Sequence, residues 1–392
     1  MRSQKLVKVR ARSPAPPKLS RASDRIEPLP LAMRLDAFAD YIRAIDREIQ
    51  ASIEARTGAE RLYWMMEYHL GWRDQQLRRA RAPAGKRSRS LICLLSCGAV
   101  GGPMASLVPV AAAVELVHQF SLIFDDIQDG SPLRRNRPAV WSLWGVPQAI
   151  NVAAGMQALV NTAVLRAARY GVPERRMVAV LHRMTETIMT LCEGQFRDLE
   201  CETQRDLLTP AEYLEICAAK TASLIQTAAY LGALWGTHDV AKLRAFEEFG
   251  YGLGMAYQLF NDIEGVWGGP EKSGKLPDDL TNRKQTLPTL MAFEQAESDS
   301  AIRALRDKYC SAEPLSSADI ALLHELLAAV DARTRCVEQL VGYKDLALRA
   351  LERTGEENEY IERLRRLVAI LLPTEPPLDV PIGRDRRSDD PA

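Results

Sequence analysis

The chain has 392 residues, of which 47% are hydrophobic and 26% are charged, and 51 basic residues balance 51 acidic ones. This composition permits a large buried core and argues against a protein that binds nucleic acid over a broad surface. We find no uninterrupted run of the roughly 20 apolar residues that span a bilayer, no secretory signal pattern and no Cys-x-x-Cys pair. We therefore expect a cytoplasmic protein without a transmembrane segment, a disulfide framework or a zinc site.

The two ends of the chain differ in composition from its middle. Residues 1–30 are rich in Arg, Lys, Ser and Pro and lack apolar periodicity, which predicts a disordered basic arm. The arm is either a solvated tail or a segment that docks on an anionic surface. Residues 373–392 are rich in Pro and charge, which predicts a second disordered tail, so that residues 31–372 form the folded domain.

Within that domain the pattern is helical. Apolar residues recur at intervals of three and four, Pro and Gly fall mostly between such segments, and no long stretch alternates with period two. The clearest segments are residues 35–56, 108–127, 177–193, 210–232 and 242–262. This pattern predicts an all-α bundle, with polar chemistry where helices face each other.

The first candidate binding element is the basic loop Gly-Lys-Arg-Ser-Arg at residues 85–89, which enters a long apolar helix. Glycine allows close approach of the backbone, and a helix N-terminus carries partial positive charge, so the loop can form an anion pocket. Basic residues at a helix start are also commonly just solvated. The loop alone therefore leaves both interpretations open.

The next predicted apolar helix ends in three acidic residues. Asp125 and Asp129 lie one turn apart with Asp126 beside them, and His118 lies about two turns earlier on a similar face. Carboxylates without interleaved bases repel one another, and Mg²⁺ prefers such oxygen ligands together with water and substrate phosphate oxygens. The cluster is either a solvated helix end or, as we predict, a site for a metal-bridged diphosphate.

Two arginines, Arg134 and Arg135, follow the acidic cluster after a Gly-Ser-Pro turn. Arginine keeps its charge at any relevant pH and binds phosphate oxygens with two parallel hydrogen bonds. Acidic and basic side chains thus flank the place expected for one diphosphate.

These motifs, together with later ones, resemble the trans-isoprenyl diphosphate synthase family, also called the polyprenyl synthetases, over roughly residues 35–372. The matching residues are Gly85, Lys86, Arg87, Arg89, Glu115, His118, Ser121, Asp125, Asp126, Asp129, Arg134, Arg135, Arg137, Gly194, Gln195, Asp198, Lys220, Thr221, Gln258, Lys275, Lys284 and Thr286. Each motif alone is weak, but the ordered set is specific.

The resemblance implies a homodimer of helical subunits, each around a deep apolar cavity, that joins an allylic diphosphate to isopentenyl diphosphate. It implies Mg²⁺ at Asp125 and Asp129, with Asp126 beside them; the allylic diphosphate at Arg134, Lys220, Gln258 and Lys275; isopentenyl diphosphate at Lys86, Arg89, His118 and Arg135; and Thr221 lining the cavity. Metal and cationic side chains would stabilise the departing pyrophosphate, and apolar walls would keep water from the allylic cation.

The second acidic motif departs from the family pattern. The family offers three Asp residues on a helix, but this chain has Asn261 and Gly265 at the first and third positions and only Asp262 in place. Asn can ligate a metal through its carbonyl oxygen without charge. Asp262 and Asn261 therefore remain predicted ligands, two to three Mg²⁺ ions are expected, and the third is in question.

This departure leaves three interpretations: chain elongation with weaker metal binding, a class I terpene cyclase-like reaction, or a non-catalytic subunit of a heteromeric prenyl synthase. A cyclase motif would need ligands where this chain has Gly265 and Gly269, and a cyclase needs no second diphosphate pocket. We therefore favour elongation.

Product length depends on the residues one turn before Asp125. A growing chain should run down the helix past Ser121, which is small, to Phe120, which can form a partial floor. By resemblance this favours a C20 product, geranylgeranyl diphosphate, with C15 farnesyl diphosphate next. Phe120 is otherwise an ordinary core residue.

Overall fold

The structure is a computed structural model that describes residues 35–83, 85–204, 207–268, 279–295, 300–311 and 313–373. The predicted basic arm, nearly all of the predicted C-terminal tail and Lys275 lie outside the described residues. The boundaries proposed for the folded domain therefore stay predictions.

The described chain is almost entirely helical, as the sequence predicts. In chain order the α-helices are α1 (Ala39–Glu54), α2 (Glu60–His69), α3 (Ser88–Ala99), α4 (Met104–Gln128), α5 (Val140–Trp144), α6 (Val146–Leu165), α7 (Glu174–Gln204), α8 (Pro210–Cys217), α9 (Ser223–Gly236), α10 (Val240–Trp267), α11 (Leu287–Gln295), α12 (Ser300–Tyr309), α13 (Ser317–Ala329), α14 (Ala332–Arg353) and α15 (Glu359–Leu371). Short 3₁₀ turns cover Asp36–Phe38 and Arg166–Tyr170.

Several of these helices begin at residues whose side chains satisfy the free backbone N–H groups of the first turn. At α8, the Thr209 hydroxyl accepts from the Glu212 backbone N–H at 3.2 Å, and the Glu212 carboxylate accepts from the Thr209 backbone N–H at 2.8 Å. Asp239 and Asn358 cap α10 and α15 in a similar way. Such caps fix where each helix starts.

The most buried long helix is α4, which packs against α1, α3 and α6 in the largest core cluster. By length and composition α4 could cross a membrane, but 72% of its most apolar window is buried inside the protein. This candidate differs from the expectation from the sequence, because α4 is not an uninterrupted apolar run. Its burial against other helices identifies α4 as a core helix.

Small residues let the helices around α4 approach closely. A Cβ atom at Gly232 on α9 would lie 2.1 Å from the Cys93 carbonyl oxygen on α3, and one at Gly254 on α10 would lie 2.5 Å from the Ala222 Cα. Only glycine fits at these contacts. The first contact holds α3 against α9, and the second holds α10 against the segment just before α9.

The segment predicted as one helix over residues 210–232 is divided by a π-helical turn at Ala218–Ala222 between α8 and α9. Single π turns within helices are frequent at functional sites because the extra residue redirects the side chains beside it. This turn carries Lys220 and Thr221.

A short antiparallel hairpin of β1 (Leu133–Arg134) and β2 (Arg137–Pro138) is the only sheet in the described part of the chain. Arg135 and Asn136 form its turn with φ of 54° and 59°. Positive φ at both central residues matches the turn geometry that suits the twist of a two-residue hairpin. The hairpin brings Arg134 and Arg135 back beside the end of α4.

Candidate active site

The carboxylate of Asp125 faces a lysine from the π turn. Lys220 Nζ lies 3.7 Å from Asp125 Oδ1 and donates to Asp198 Oδ2 on α7 at 2.7 Å. Burial alone would lower the pKa of Lys220, but the Asp125 and Asp198 carboxylates outweigh it and raise that pKa. Lys220 is therefore a fixed cation between two acids, as expected of a group that binds a diphosphate there.

Asp126 is turned into the protein, where its side chain is only 1% exposed. Arg134 Nε donates to Asp126 Oδ1 at 2.8 Å, while no donor among the described residues reaches the buried Oδ2 atom. Burial raises the pKa of Asp126 even though Arg134 opposes the shift. The predicted phosphate ligand Arg134 is thus held at the acidic cluster.

Asp129 follows the last residue of α4 and is exposed to solvent. Partial loss of water and the nearby Asp125 carboxylate raise the pKa of Asp129, while Lys220 and Lys284 act in the opposite direction. The negative charges of Asp125 and Asp129 therefore repel each other at the end of α4, and an additional cation would relieve this repulsion.

The residues at this end of α4 fit a magnesium ion by their chemistry. They provide carboxylate oxygens from Asp125 and Asp129, and a buried oxygen of Asp126 has no donor in the described part of the chain. Within the described ranges no three His, Cys, Asp or Glu side chains converge into a closed metal cage. Mg²⁺ commonly takes one or two carboxylates and completes its shell with water and substrate phosphate, and Asp125 and Asp129 offer two carboxylates.

The backbone of α7 packs closely on the π turn at Gly194. A Cβ atom there would lie 2.9 Å from the Lys220 backbone nitrogen, so only glycine permits this approach. The next residue, Gln195, has a buried amide group with no hydrogen-bond partner among the described residues. Gln195 belongs to a motif that resembles the family but carries no role predicted from the sequence, and its buried amide makes it a candidate ligand-binding group.

A hydrogen-bonded chain joins the π turn to the second motif. The Thr221 hydroxyl donates to Gln258 Oε1 at 2.9 Å, and Gln258 Nε2 donates to Asp262 Oδ1 at 2.9 Å. Tyr213 on α8 then donates its phenol to Asp262 Oδ2 at 2.6 Å. Because Lys220 and Thr221 are adjacent, the two acidic motifs belong to one connected site.

Asp262 itself is buried and fully engaged in hydrogen bonds. Besides Tyr213 and Gln258, the Leu287 backbone N–H lies 3.4 Å from its Oδ2. Burial raises the pKa of Asp262 to about 6, although these three donors oppose the shift. Its predicted role as a metal ligand, and that of the half-buried Asn261, stay predictions; Asp262 has instead the contacts of a residue that orients Gln258.

The predicted isopentenyl diphosphate residues converge about two turns before the acids along α4. Arg89 Nη1 lies 3.3 Å from His118 Nε2, and Arg135 Nη2 donates to Gln119 Oε1 at 3.4 Å. Gly85 lies directly beneath Arg135, since a Cβ atom there would be 2.8 Å from Nη2. The basic loop and the hairpin thus form one cationic pocket.

Burial and mutual repulsion shape the charges in this pocket. Burial and neighbouring arginines hold the pKa of His118 well below its ordinary value, and burial with Arg87 lowers the pKa of Arg135 to about 10. Arg89 Nε and Arg135 Nη1 are buried without a hydrogen-bond partner in the described ranges. The pocket therefore offers unused donors to an anion.

Arg87, the middle basic residue of the loop, is buried and paired with acidic side chains. Its guanidinium is 1% exposed and pairs with Asp46 on α1 at 2.9 Å and with Glu115 on α4 at 3.2 Å. Removing one partner of such a buried ion pair strongly destabilises a protein, because the other charge stays buried without compensation. Arg87 therefore anchors α3 to α1 and α4, while Lys86 and Arg89 serve the pocket.

Two residues near the pocket were not found from the sequence. Lys86 Nζ lies 5.5 Å from the centre of the Tyr257 ring, in the geometry of a cation–π contact. The aromatic residue immediately before Gln258 was a signal that could have identified it. His69 is buried, and burial with Arg135 and Arg134 lowers its pKa; nothing in its local sequence marked it.

The residues predicted to limit product length lie on the buried part of α4. Phe120 is 5% exposed and contacts Phe124 edge-to-face, with ring centres 6.2 Å apart. Ser121 is half-buried, and its hydroxyl donates to the His118 carbonyl oxygen at 2.9 Å. Phe120 and Phe124 thus form an aromatic pair on α4 just before the acids, and the small residue Ser121 follows Phe120.

Comparison with known proteins extends this description. The family profile described as polyprenyl synthetase matches residues 72–325. A geranylgeranyl diphosphate synthase of Mycobacterium tuberculosis is 40% identical over 248 residues, covering 63% of this chain and 69% of the relative. A (2E,6E)-farnesyl diphosphate synthase of Mycobacterium bovis is 35% identical over 242 residues, covering 62% of this chain and 65% of the relative.

The fold is also similar to that of solved structures. A crystal structure of a polyprenyl synthetase from Streptomyces coelicolor A3(2) matches with a TM-score of 0.75 and 29% identity, over 84% of this chain and 97% of that one. The helical architecture predicted from the sequence is thereby confirmed.

Proposed function

The chain belongs to the polyprenyl synthetase family, the trans-isoprenyl diphosphate synthases, and from this premise we propose that it joins an allylic diphosphate to isopentenyl diphosphate to give a C20 product. It is a prenyltransferase. The observation that supports the proposal is that two clusters of charged side chains lie along one helix, at Asp125 and at His118. Seven residues of α-helix separate them by about 10 Å, which suits two substrates bound side by side.

The acidic site is assigned to the allylic diphosphate with Mg²⁺, and Asp125 and Asp129 would hold the ion. Bound Mg²⁺ supplies positive charge that stabilises the leaving pyrophosphate. Lys220 and Arg134 add fixed positive charge at the same place, since both are held there by carboxylates. Lys275, Asn261 and the number of ions remain predictions by resemblance.

The allylic cation is stabilised by the group next to Lys220. Because the Thr221 hydroxyl gives its hydrogen to Gln258, its oxygen lone pairs remain available to a nearby cation. The Gln258 amide is itself oriented by Asp262 and Tyr213. Loss of pyrophosphate breaks the allylic C–O bond, the double bond of isopentenyl diphosphate attacks, and the released pyrophosphate accepts the lost proton.

The cationic pocket is assigned to isopentenyl diphosphate. Lys86, Arg89, His118 and Arg135 surround it, and buried donors of Arg89 and Arg135 are unused in the described part of the chain. A cyclase, which binds one diphosphate, has no need of such a pocket. This observation favours elongation over the cyclase-like alternative.

We propose a C20 product because Ser121 leaves space beside the buried Phe120. The relatives support C20 and C15 products, since one is named a geranylgeranyl and the other a farnesyl diphosphate synthase. Phe120→Ala should lengthen the product and Ser121→Phe should shorten it.

A homodimer in the cytoplasm completes the proposal. Val178, Met189 and Phe196 of α7 are 63%, 53% and 64% exposed and lie on one face of the helix, which a second copy would cover. Five of the cysteines, Cys93, Cys97, Cys192, Cys217 and Cys336, are free thiols, which fits a reducing compartment. Sedimentation of the Phe196→Glu variant should show loss of the dimer.

One assay tests the reaction. Purified protein is incubated with Mg²⁺, labelled isopentenyl diphosphate and a C5, C10 or C15 allylic diphosphate, and products are identified before and after phosphatase treatment. Elongated diphosphates support the proposal. Hydrocarbons or alcohols formed without isopentenyl diphosphate support a cyclase, and activity only with a second family member supports a subunit role.

A further inference from the structure

Gln119 follows His118 on α4, is 1% exposed, and has no role predicted from the sequence. Its Nε2 donates to Glu115 Oε1 at 2.6 Å, and its Oε1 accepts from Arg135 Nη2 at 3.4 Å. An ionised carboxylate only accepts hydrogen bonds and a guanidinium only donates them, so the two partners determine which end of the amide faces each of them. The carbonyl oxygen of Gln119 is therefore directed at Arg135.

Glu115, which orients this amide, is itself held at both of its carboxylate oxygens. Arg87 Nη1 donates to Oε1 at 3.2 Å, and the Ser90 hydroxyl lies 3.1 Å from Oε2. Arg87 is in turn paired with Asp46 on α1 at 2.9 Å. Because Glu115 is 1% exposed, its carboxylate cannot turn into solvent. A network of side chains thus runs from α1 to α4 and fixes the position of the Gln119 carbonyl.

Arg135, at the end of this network, carries its guanidinium on a long flexible stem. The guanidinium lies against Gly85 of the basic loop, since a Cβ atom at Gly85 would be 2.8 Å from Nη2 and 3.0 Å from Cζ. The Nη1 atom is buried and has no hydrogen-bond partner among the residues that the structure describes. Nη2 is therefore held by Gln119, while Nη1 is available to an anion in the pocket.

Two consecutive residues of α4 thus face two arginines of the cationic pocket. His118 Nε2 lies 3.3 Å from Arg89 Nη1, and Gln119 Oε1 lies 3.4 Å from Arg135 Nη2. A carboxylate in place of the Gln119 amide would pair with the guanidinium and compensate its charge. The neutral amide orients Arg135 and leaves its positive charge for a ligand.

We propose that Gln119 is a positioning residue for isopentenyl diphosphate, because its carbonyl, directed by Glu115, holds the Arg135 guanidinium against Gly85 in the conformation that binds the diphosphate. An arginine that is ordered before the ligand arrives loses less conformational entropy on binding, which raises the affinity. Gln119 does not touch the ligand in this role and acts through Arg135. The inference rests on the proposed function, which assigns this pocket to isopentenyl diphosphate.

The test compares Gln119→Met, Arg135→Met and the double variant in the full chain. The probe is isopentenyl diphosphate alone, with its dissociation constant measured by calorimetry, alongside kcat and the KM values of both substrates. We expect Gln119→Met to weaken binding of the probe about fivefold, the size of one ordinary hydrogen bond, and Arg135→Met to weaken it at least about tenfold. The double variant should match Arg135→Met within about twofold, because Gln119 acts through Arg135.

A matched control separates positioning from the general loss of an amide. On α1, Gln50 Nε2 donates to the Glu54 carboxylate four residues away at 2.8 Å, as Gln119 does to Glu115. Gln50→Met should leave the affinity for isopentenyl diphosphate unchanged. In Gln119→Met, kcat and the KM for the allylic substrate should stay at wild-type values. If Gln119→Met does not fold, Gln119→Asn, whose shorter amide cannot reach both Glu115 and Arg135, should show the same loss of affinity.

Several results would overturn the inference. Wild-type affinity for isopentenyl diphosphate in Gln119→Met refutes it, and a lower melting temperature in that variant then indicates a merely structural role. An equal loss of affinity with and without Arg135 means that Gln119 acts by another route, and an equal rise in both KM values means that the whole site is disturbed. Wild-type protein that binds isopentenyl diphosphate but forms no prenyl product counts against the proposed function instead, and a loss of affinity in Gln119→Met would still support the positioning role.

Discussion

The two acidic regions of the molecule resemble each other in sequence but differ in what their carboxylates contact. At the end of α4, Asp125 is 26% exposed and lies 3.7 Å from Lys220, and Asp129 is exposed. On α10, Asp262 is 3% exposed and accepts hydrogen bonds from Tyr213 and Gln258. The first region keeps ligand positions open to solvent, whereas the second uses its acid to hold neighbouring side chains.

This difference indicates how the variant second motif is tolerated. An acid that only needs to orient Gln258 does not require two further acids beside it, so Asn261 and Gly265 cost that function little. A helix that presented three metal-binding carboxylates would lose most of its charge through the same changes. Variants of the two regions should therefore have very different effects.

The largest effect should come from Asp125→Ala. Removing this carboxylate takes away a proposed metal ligand and the partner of Lys220, and transition-state charge stabilisation of several kcal/mol would be lost. We expect kcat to fall at least about 10³-fold, with an unchanged melting temperature. Glu325→Ala, which removes an exposed acid from α13, is the control; near-normal turnover in Asp125→Ala would contradict the metal assignment.

A smaller loss is expected for Lys220→Met, which removes the cation between Asp125 and Asp198. Loss of one fixed group that stabilises transition-state charge typically lowers kcat about 10²-fold. The KM for isopentenyl diphosphate should stay the same, because the pocket assigned to that substrate lies about two turns away along α4. Lys220→Arg keeps the charge and should retain more activity; equal losses in both variants would show that the charge is not what matters.

Much of the first region could be predicted from the sequence, because its residues are close together along the chain. The spacing of Asp125 and Asp129 on one helix fixes their common face, and the cationic hairpin follows within a few residues. The sequence did not reveal that Arg87 turns inward, because its partners Asp46 and Glu115 come from two other helices.

The second region was harder to predict for the same physical reason. Asp262 accepts a hydrogen bond from Tyr213, which is 49 positions away in the sequence. The carboxylate that lies beside Gly265 belongs to Asp279, in a separate segment of the chain. A motif read along α10 contains neither residue. The π turn that aims Lys220 also depends on packing against Gly194, so periodicity alone predicted a continuous helix there.

The cationic pocket offers a more moderate test. Lys86→Ala removes one of four basic groups and should raise the KM for isopentenyl diphosphate about tenfold, the size of one charge-assisted hydrogen bond to phosphate. The KM for the allylic substrate should not change. Tyr257→Phe keeps the ring beneath Lys86 and serves as the control, and an effect confined to the allylic substrate would show that the pocket was misassigned.

The smallest effect on activity should come from Asp262→Asn, within about fivefold of wild type, because an asparagine side chain can still accept the Tyr213 hydrogen bond. Its clearest signature is in stability. Burial raises the pKa of Asp262 to about 6 from an ordinary value of 3.8, so the folded state binds this proton more tightly than the unfolded chain. The stability that this proton contributes is present at low pH and is lost as pH rises through about 6, by up to about 3 kcal/mol.

An asparagine side chain does not titrate, so the Asp262→Asn variant should lack that loss. Urea unfolding of both proteins without Mg²⁺, between about pH 4 and pH 7, should show the variant gaining stability relative to wild type as pH rises; other carboxylates cancel in the difference. Parallel curves would mean that Asp262 titrates alike in both states. A loss of turnover as large as that of Asp125→Ala, together with weaker Mg²⁺-dependent pyrophosphate binding, would make Asp262 a metal ligand and remove the distinction between the two regions.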